Sequence, residues 1–368
     1  MNVLFVPAQF KETIAATDAA RLMAQAGRSH GWVCREQAIS DGGEGFLDVF
    51  LSVGGELRKA RVFNPVGKLI EADYVICNDT AIIEMARASG LELVPPAERD
   101  VLQSSTYGTG QLIHNALQED VSTVIVSLGG SATNDGGMGM LRAMGAEFRD
   151  DNGNLIESFQ QACRITTINL DKITYLIDGK SIIGATDVNN PLLGEFGATR
   201  IFGRQKGVNS SLQDSFEQWM ECFARATQNA IGVDHSGVKG SGAAGGTGFA
   251  LCACLNAQLT SGFDILSELV NLDAMVSWAD LVVTGEGRMD HQTQYGKAPA
   301  RICQLARKRG KKVAAIVGSY EAVPGKSQEF DAIYSLSALA GSSHAAMLKP
   351  RFWLEHAMNE LIRDFSES

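Results

Sequence analysis

Residues 123–144 read TVIVSLGGSATNDGGMGMLRAM, and the class of fold follows from this stretch. Thr123–Leu128 is apolar and rich in β-branched residues, the composition of a buried strand. Gly129–Gly137 breaks that run with four glycines among Ser, Thr, Asn and Asp, all turn formers. Met138–Met144 then resumes an apolar pattern with few β-branched residues, which predicts a helix. The same order opens the chain. Val3–Val6 is a buried strand ended by Pro7. Lys11–Ala26 follows with Ile14, Ala15, Leu22, Met23 and Ala26 near helical spacing, and Gly27 closes it. A strand, a short turn and a helix make the first half of a βαβ unit, so the fold class is α/β.

Working outward, Thr106–Leu117 is a predicted helix and Phe46–Leu51 another, after the loop Asp41–Gly45. Leu57–Phe63 and Ala72–Cys77 are short strand-like segments. Asn64-Pro65-Val66-Gly67 lies between them and Asn78-Asp79 follows, which favours antiparallel pairing. Ile182–Thr186 is a buried strand and Phe263–Trp278 an amphipathic helix. Leu281–Thr284 is a strand entering Gly285-Glu286-Gly287, followed by a helix at Ala298–Arg309 and a strand at Val313–Val317. Both chain ends keep the βα rhythm and the middle departs from it. The expected organisation is a discontinuous domain of residues 1–60 and 280–368 with a parallel sheet, into which residues 61–279 are inserted as a mixed α/β domain. A length of 368 residues agrees with two domains, at about 100–200 residues each.

The formal net charge is −10, which disfavours nucleic acid and anionic membranes as partners. The densest basic run, Arg307–Lys312, sits where a helix ends and suits the carbonyl end of its dipole. Seven cysteines are scattered without a CxxC pair, the pattern of a reducing compartment. The opening MNVLFVPAQFKET does not read as a signal peptide, and no apolar run is long enough to span a bilayer. The expected location is cytoplasmic.

Several nucleotide and hydrolase signatures fail. Gly179-Lys180-Ser181 and Gly325-Lys326-Ser327 end like a P-loop, but Thr174 and Tyr320 stand where its first glycine belongs. Gly240–Gly245 spells GxGxxG without a strand before it, so the dinucleotide context is missing. There is no HExxH and no GxSxG, and the six histidines are isolated from one another.

What remains is a set of loops that combine glycine with acidic, amide, hydroxyl or lysine residues: Ser40–Gly45, Gly129–Gly137, Thr186–Gly194, Phe202–Gly207, Gly240–Gly248 and Thr284–Lys297. Glycine lets backbone N–H groups approach an anion closely, and such loops bind phosphate. Carboxylates in the same loops would repel phosphate unless a divalent cation intervenes. Mg²⁺ bound by one or two carboxylates and substrate phosphates is the expected ion. The lysines Lys11, Lys206 and Lys297 can neutralise a transferring group.

At these residues the chain resembles the bacterial class I glycerate kinase family, which phosphorylates D-glycerate with ATP. Pro7–Lys11 is similar to that family's APDSFK opening, Ser40–Gly45 to its ADGGEG, and Glu84-Met85-Ala86 with Thr106–Gly110 to its EMA and TYGTG segments. Gly129–Gly139, Asp187–Leu192, Phe202–Gly207, Ala243–Gly246 and Asp280–Lys297 match its longer blocks in order. The resemblance implies two α/β domains, one Rossmann- or flavodoxin-like, with the active site in the cleft between them. It also implies ATP and D-glycerate as substrates and 2-phosphoglycerate as the usual product. A homodimer belongs to the same expectation.

Roles are assigned on that basis. Asp187 or Asp290 orients or deprotonates the substrate hydroxyl. Arg288 and Lys206 hold the substrate carboxylate or the moving phosphate, with Lys11 beside them. Ser131, Thr133, Asn134, Asp135, Gly245 and Gly246 contact the nucleotide. Asp41, Glu44, Asn190, Glu286 and Gln292 bind substrate, and Asp41 and Glu44 are the candidates for Mg²⁺. The chain departs from the family where Ala8-Gln9 replaces Asp-Ser, Glu12 replaces Gly, Phe46 replaces Thr, Arg204 replaces Pro and Gln111 replaces Glu. Two alternatives therefore stay open: a kinase of another small hydroxy or sugar acid, and a catalytically weakened ligand-binding relative.

Overall fold

The structure, a computed structural model, describes residues 1–10, 13–40, 42–290, 297–321 and 330–366. In chain order its first elements are β1 (Asn2–Pro7), α1 (Ala16–Ser29), β2 (Val33–Glu36), α2 (Phe46–Ser52), β3 (Glu56–Phe63), β4 (Leu69–Cys77), β5 (Thr80–Glu84) and α3 (Ala86–Ser89). Next come α4 (Tyr107–Ala116), β6 (Thr123–Ser127), α5 (Met138–Ala143), β7 (Glu147–Arg149), β8 (Thr167–Asn169), α6 (Asp171–Leu176), β9 (Ser181–Ala185), α7 (Ala198–Phe202), α8 (Ser210–Ile231), α9 (Ala243–Leu255) and β10 (Gln258–Thr260). The last are α10 (Gly262–Leu269), α11 (Leu272–Trp278), β11 (Leu281–Met289), α12 (Ala298–Lys308), β12 (Lys312–Tyr320), β13 (Ala332–Ser335), α13 (Leu336–Ala340), α14 (Ser343–Leu348) and α15 (Pro350–Ser366).

Two compact units result. One joins Met1–Asp41 to Phe263–Ser368, and the other is Gly42–Gly262. The boundaries thus lie near 41 and 262, where the sequence pattern puts them near 60 and 280. The change of pattern at Gly55 marks a change of strand pairing within one unit: β3 pairs with β4 along its whole length, and α2 packs on β4 and β5.

The discontinuous unit carries a parallel sheet in the order β13-β12-β11-β1-β2. The chain leaves β1 for β2 on one side and returns beside β1 on the other as β11, so the topology reverses between β1 and β11. Ligands in open α/β sheets bind at such a reversal, outside the carboxyl ends of the strands. β1 and β11 are central and apolar, with Val3, Leu4, Phe5, Val6, Leu281, Val282 and Val283 fully buried. α1 lays Ala16, Ala19, Ala20, Met23, Ala24 and Gly27 on the core, a helical stripe of small residues. β11 runs on through Gly285-Glu286-Gly287 to Met289, past Thr284, where composition alone ends the strand. A Cβ on Gly285 would sit 2.2 Å from the Ile316 carbonyl oxygen, and one on Gly318 2.3 Å from that of Gly287. Glycine here serves close strand packing rather than a turn. Phe263–Trp278 is two helices, interrupted at Asn271 with φ +50°. The basic run after α12 is paired in part: Arg307 bonds Asp331 at 2.9 Å and Arg309 bonds Asp273.

The inserted unit has a mixed sheet in the order β10-β9-β6-β5-β4-β3. β5, β6, β9 and β10 are parallel, while β3–β4 and β4–β5 are antiparallel. Its core gathers Val124, Val126, Leu112, Met140, Phe223 and Phe249 from the sheet and the flanking helices. α8 begins where the Asn209 side chain accepts the N–H groups of Ser211 and Leu212, and ends at Gly232 with φ +80°. Cys163 and Cys222 form a disulfide between the 3₁₀ segment Phe159–Arg164 and α8. This differs from the reducing-compartment pattern that the scattered cysteines suggest. The pairing joins positions 59 residues apart and has no signature in their spacing.

Candidate active site

Four of the six glycine loops lie wholly in the inserted unit and a fifth, Ser40–Gly45, enters it at Gly42; contacts link four of these five around the carboxyl ends of β6 and β9. A Cβ on Gly42 would sit 3.3 Å from the Ala185 carbonyl oxygen at the end of β9. Gly129 N–H donates to Gly42 O at 3.1 Å, and a Cβ on Gly129 would sit 2.3 Å from Gly43 Cα. Gly130, with φ +72°, lies beside the Glu44 carboxylate. On the other side Gly242 N–H donates to Asn190 O, and Gly136 N–H to Gly245 O. A Cβ on Gly245 would sit 2.1 Å from Thr133 O. Ala244, Gly245 and Gly246 take three successive left-handed conformations at the start of α9. Gly245 and Gly246 are thus required for two loops to interlock.

The fifth loop supplies Lys206 from a 3₁₀ turn, Arg204–Lys206. Lys206 is 3 % exposed. Its ammonium donates to Ser131 Oγ and to Thr133 O, both at 2.7 Å. Burial pushes the ammonium down to about 7, against the attraction of Asp135. Asp135 is itself buried and accepts four hydrogen bonds: Thr106 N (2.9 Å), Thr106 Oγ1 (2.8 Å), Gly137 N and Gly139 N (3.2 Å each). Burial pushes its carboxyl up, and those four donors pull it the other way. Asp135 therefore ties the loop to the starts of α4 and α5. Asn134 donates to Thr199 Oγ1 at 3.0 Å. Ser127 Oγ, Thr133 Oγ1 and Asn134 Oδ1 are buried without a partner among the described residues. A loop with an ammonium behind it and hydroxyls to spare suits an anionic ligand.

A carboxylate that the sequence pattern does not single out lies next to these loops. Glu84 ends β5, is 2 % exposed, and accepts the N–H of Leu47 at the start of α2 at 3.3 Å. Arg87 Nε stands 3.6 Å from its other oxygen. Burial pushes this carboxyl up to about 7; Arg87 and the Leu47 amide oppose that, and Asp48 and Glu44 add to it. The available signal is an acid closing the apolar run Thr80–Ile83 directly before a helix.

Of the other expected site residues in this unit, Asp187 and Asn190 lie in the loop after β9, both half-buried. Asn190 Nδ2 donates to Phe196 O at 2.8 Å. Glu44 is half-buried at the start of α2. In the discontinuous unit, Glu286 and Asp290 are buried near the carboxyl end of β11, and Arg288 is exposed. Arg288 lies 3.3 Å from Asp290 and 3.1 Å from Glu321. Ala8 N–H donates to Gly285 O at 2.8 Å, so Ala8 and Gln9 stand at the topological reversal. Lys11, Asp41 and Gln292 lie outside the described residues. Among the described residues no three His, Cys, Asp or Glu side chains group as a metal site. A cation carried by nucleotide phosphates needs one or two carboxylates, and the half-buried Glu44 beside Gly130 fits that smaller demand.

Residues 3–366 match the sequence model described as the glycerate kinase family. A glycerate kinase of Halalkalibacterium halodurans is 37% identical over 98% of this chain and 97% of its own length. A glycerate 2-kinase of Escherichia coli (strain K12) is 37% identical over 93% of this chain and 92% of its own. A crystal structure described as that of a putative glycerate kinase 2 from Salmonella typhimurium LT2 superposes with a TM-score of 0.82 at 34% identity, covering 100% of this chain and 99% of that one.

Proposed function

The chain belongs to the glycerate kinase family, and from that premise we propose that it transfers the γ-phosphoryl group of ATP to D-glycerate, giving ADP and 2-phospho-D-glycerate. The observation that carries this reading is the interlocked loop assembly at the ends of β6 and β9, braced by buried Lys206 and Asp135, in a chain similar along nearly its whole length to enzymes named for this activity. The 2-position follows the relative named as a glycerate 2-kinase.

In this reaction the glycerate hydroxyl oxygen forms a bond to the γ-phosphorus as the bond from that phosphorus to the ADP oxygen breaks. The hydroxyl proton passes to a carboxylate, for which Asp187 and Asp290 are the candidates. Arg288 suits the glycerate carboxylate through a bidentate contact. The loop residues Ser131, Thr133, Asn134 and Asp135, with Gly245 and Gly246, form the nucleotide side, the last four through the shape they impose. Glu286 and Asn190 are each candidates to bind substrate. When bound with ATP, Mg²⁺ supplies charge neutralisation on the phosphates, and Glu44 is the described residue suited to hold it. The reading includes a homodimer and a cytoplasmic location, where the Cys163–Cys222 pair would be held reduced. No helix among the described residues is long and apolar enough to cross a membrane.

Release of ADP, coupled to a spectrophotometric readout over a panel of hydroxy acids, tests the assignment. Turnover is expected with D-glycerate, and phosphorus NMR of the product is expected to show a 2-phosphate. Turnover with another acid and none with glycerate would refute it. Asp187→Asn and Asp290→Asn variants separate the two acids: loss of the base lowers kcat by roughly 10²–10⁴-fold, and the variant that keeps full turnover is not the base.

A further inference from the structure

Lys206 is buried to 3 % exposure, yet both of its observed hydrogen bonds go to one loop, to Ser131 Oγ and Thr133 O. An ammonium has three donors and no acceptor. Ser131 Oγ must therefore accept from Lys206, and its own hydrogen must point elsewhere. Among the described residues no hydrogen bond takes that hydrogen up. A serine hydroxyl carries one donor and two acceptor sites; here Lys206 fills one acceptor site, so the hydrogen is turned away from the ammonium and is polarised by the charge behind it. Ser131 follows Gly129-Gly130 after β6, in the same segment as Ser127 and Thr133, whose buried hydroxyls have no partner among the described residues.

We propose that Lys206 acts as a positioning residue, fixing the Ser131 hydroxyl as a hydrogen-bond donor to an anionic oxygen of a substrate, either a phosphoryl oxygen of the nucleotide or the carboxylate of the hydroxy acid. This rests on the glycerate kinase reading and changes the part Lys206 plays in it: the ammonium works through Ser131 and leaves the substrate to it. Asp135 is the charged group among the described residues whose field reaches Lys206, and its carboxylate is already held by four donors. It balances the ammonium without competing for Ser131. Because burial lowers the ammonium to about 7, an anion arriving at Ser131 favours its protonated form, and binding takes up a proton above neutral pH.

Calorimetric titration of the full-length protein at pH 8, in buffers of different ionisation enthalpy, reads that uptake directly. ADP and D-glycerate are titrated separately, so the two sources of the anionic oxygen are distinguished. Uptake of roughly half a proton or more is expected with the ligand that meets Ser131. Ser131→Ala is expected to weaken that ligand about tenfold or more and to abolish the uptake, with its KM raised more than kcat is lowered. Lys206→Met is expected to do the same, and Ser131→Ala/Lys206→Met to be no worse than either single variant. Multiplicative losses in the double variant would show Lys206 touching substrate itself and overturn the proposal. Should Lys206→Met fail to fold, Ser131→Ala alone decides: unchanged affinity and unchanged proton uptake for both ligands overturn it. A wild-type protein that binds ADP or glycerate but phosphorylates no hydroxy acid refutes the kinase reading and leaves the Ser131 test intact. A wild type that binds neither refutes both.

Discussion

Glu84 carries a cost that depends on pH. Its carboxyl is buried at the end of β5, and its folded pKa, about 7, lies above the ordinary 4.5. The folded protein therefore holds more protons than the unfolded chain between those values. The stability this contributes is fully present below about pH 4.5 and is lost as pH rises through about 7. Glu84→Gln keeps the shape and does not ionise, so its unfolding midpoint in urea should change less between pH 5 and 8 than that of the wild type. The difference between the two profiles should be on the order of 1–3 kcal/mol, and parallel profiles would show that Glu84 does not titrate in that window. Lys206 has the opposite sign. Its folded value, about 7, lies below the ordinary 10.5, so stability rises with pH between them and is lost as pH falls through about 7.

The segment Gly240–Gly248 shows what an element needs beyond its composition. It reads as a loop because glycine is dense in it. In the structure its second half already belongs to α9, entered through three left-handed residues that fit against Thr133, Asn134 and Gly136. Gly245→Ala would add a Cβ 2.1 Å from Thr133 O at φ +68°. A loss of about 3 kcal/mol or more is expected; on the proposed placement of the nucleotide, ADP binding also weakens, since Gly129–Gly137 must move. Gly194 is the control: φ is +86° and nothing lies within 4 Å of its Cβ position. Gly194→Ala should cost only about 1 kcal/mol. Equal thermal shifts in the two variants would contradict the interlocking of the loops. The strand, loop and helix over 123–144 were legible because period and turn chemistry are local. The end of β11 was not, since Gly285 and Gly287 have the composition of a turn, and the pairing of Gly285, Glu286, Arg288 and Met289 with β12 carries the strand through them. The candidate site was legible as a set of loops, four of which the structure brings into contact. Which side chains face inward was not: the Asn134 amide nitrogen is taken up by Thr199, and Asp135, an acid that phosphate would repel, is taken up by Thr106 and the starts of α4 and α5.

At the scale of the whole molecule, Gly42–Gly262 is continuous in sequence and owns its sheet and core. Residues 42–262 expressed alone should unfold in one cooperative transition with near-native far-ultraviolet dichroism. A broad, non-cooperative melt would show that this unit depends on the rest of the chain. The other unit has no such independence, because its central pairing joins the two ends of the sequence. The Thr284 hydroxyl donates to Val6 O across 278 residues. During synthesis the two halves of that pairing leave the ribosome far apart in time. At about 5–20 residues per second the delay is roughly 15–55 s. For that interval β1, an apolar strand, has one long edge without its final neighbour, while the inserted unit can finish folding. A nascent chain of this design has a predictable moment of greatest exposure to misassembly, and it ends when β11 emerges.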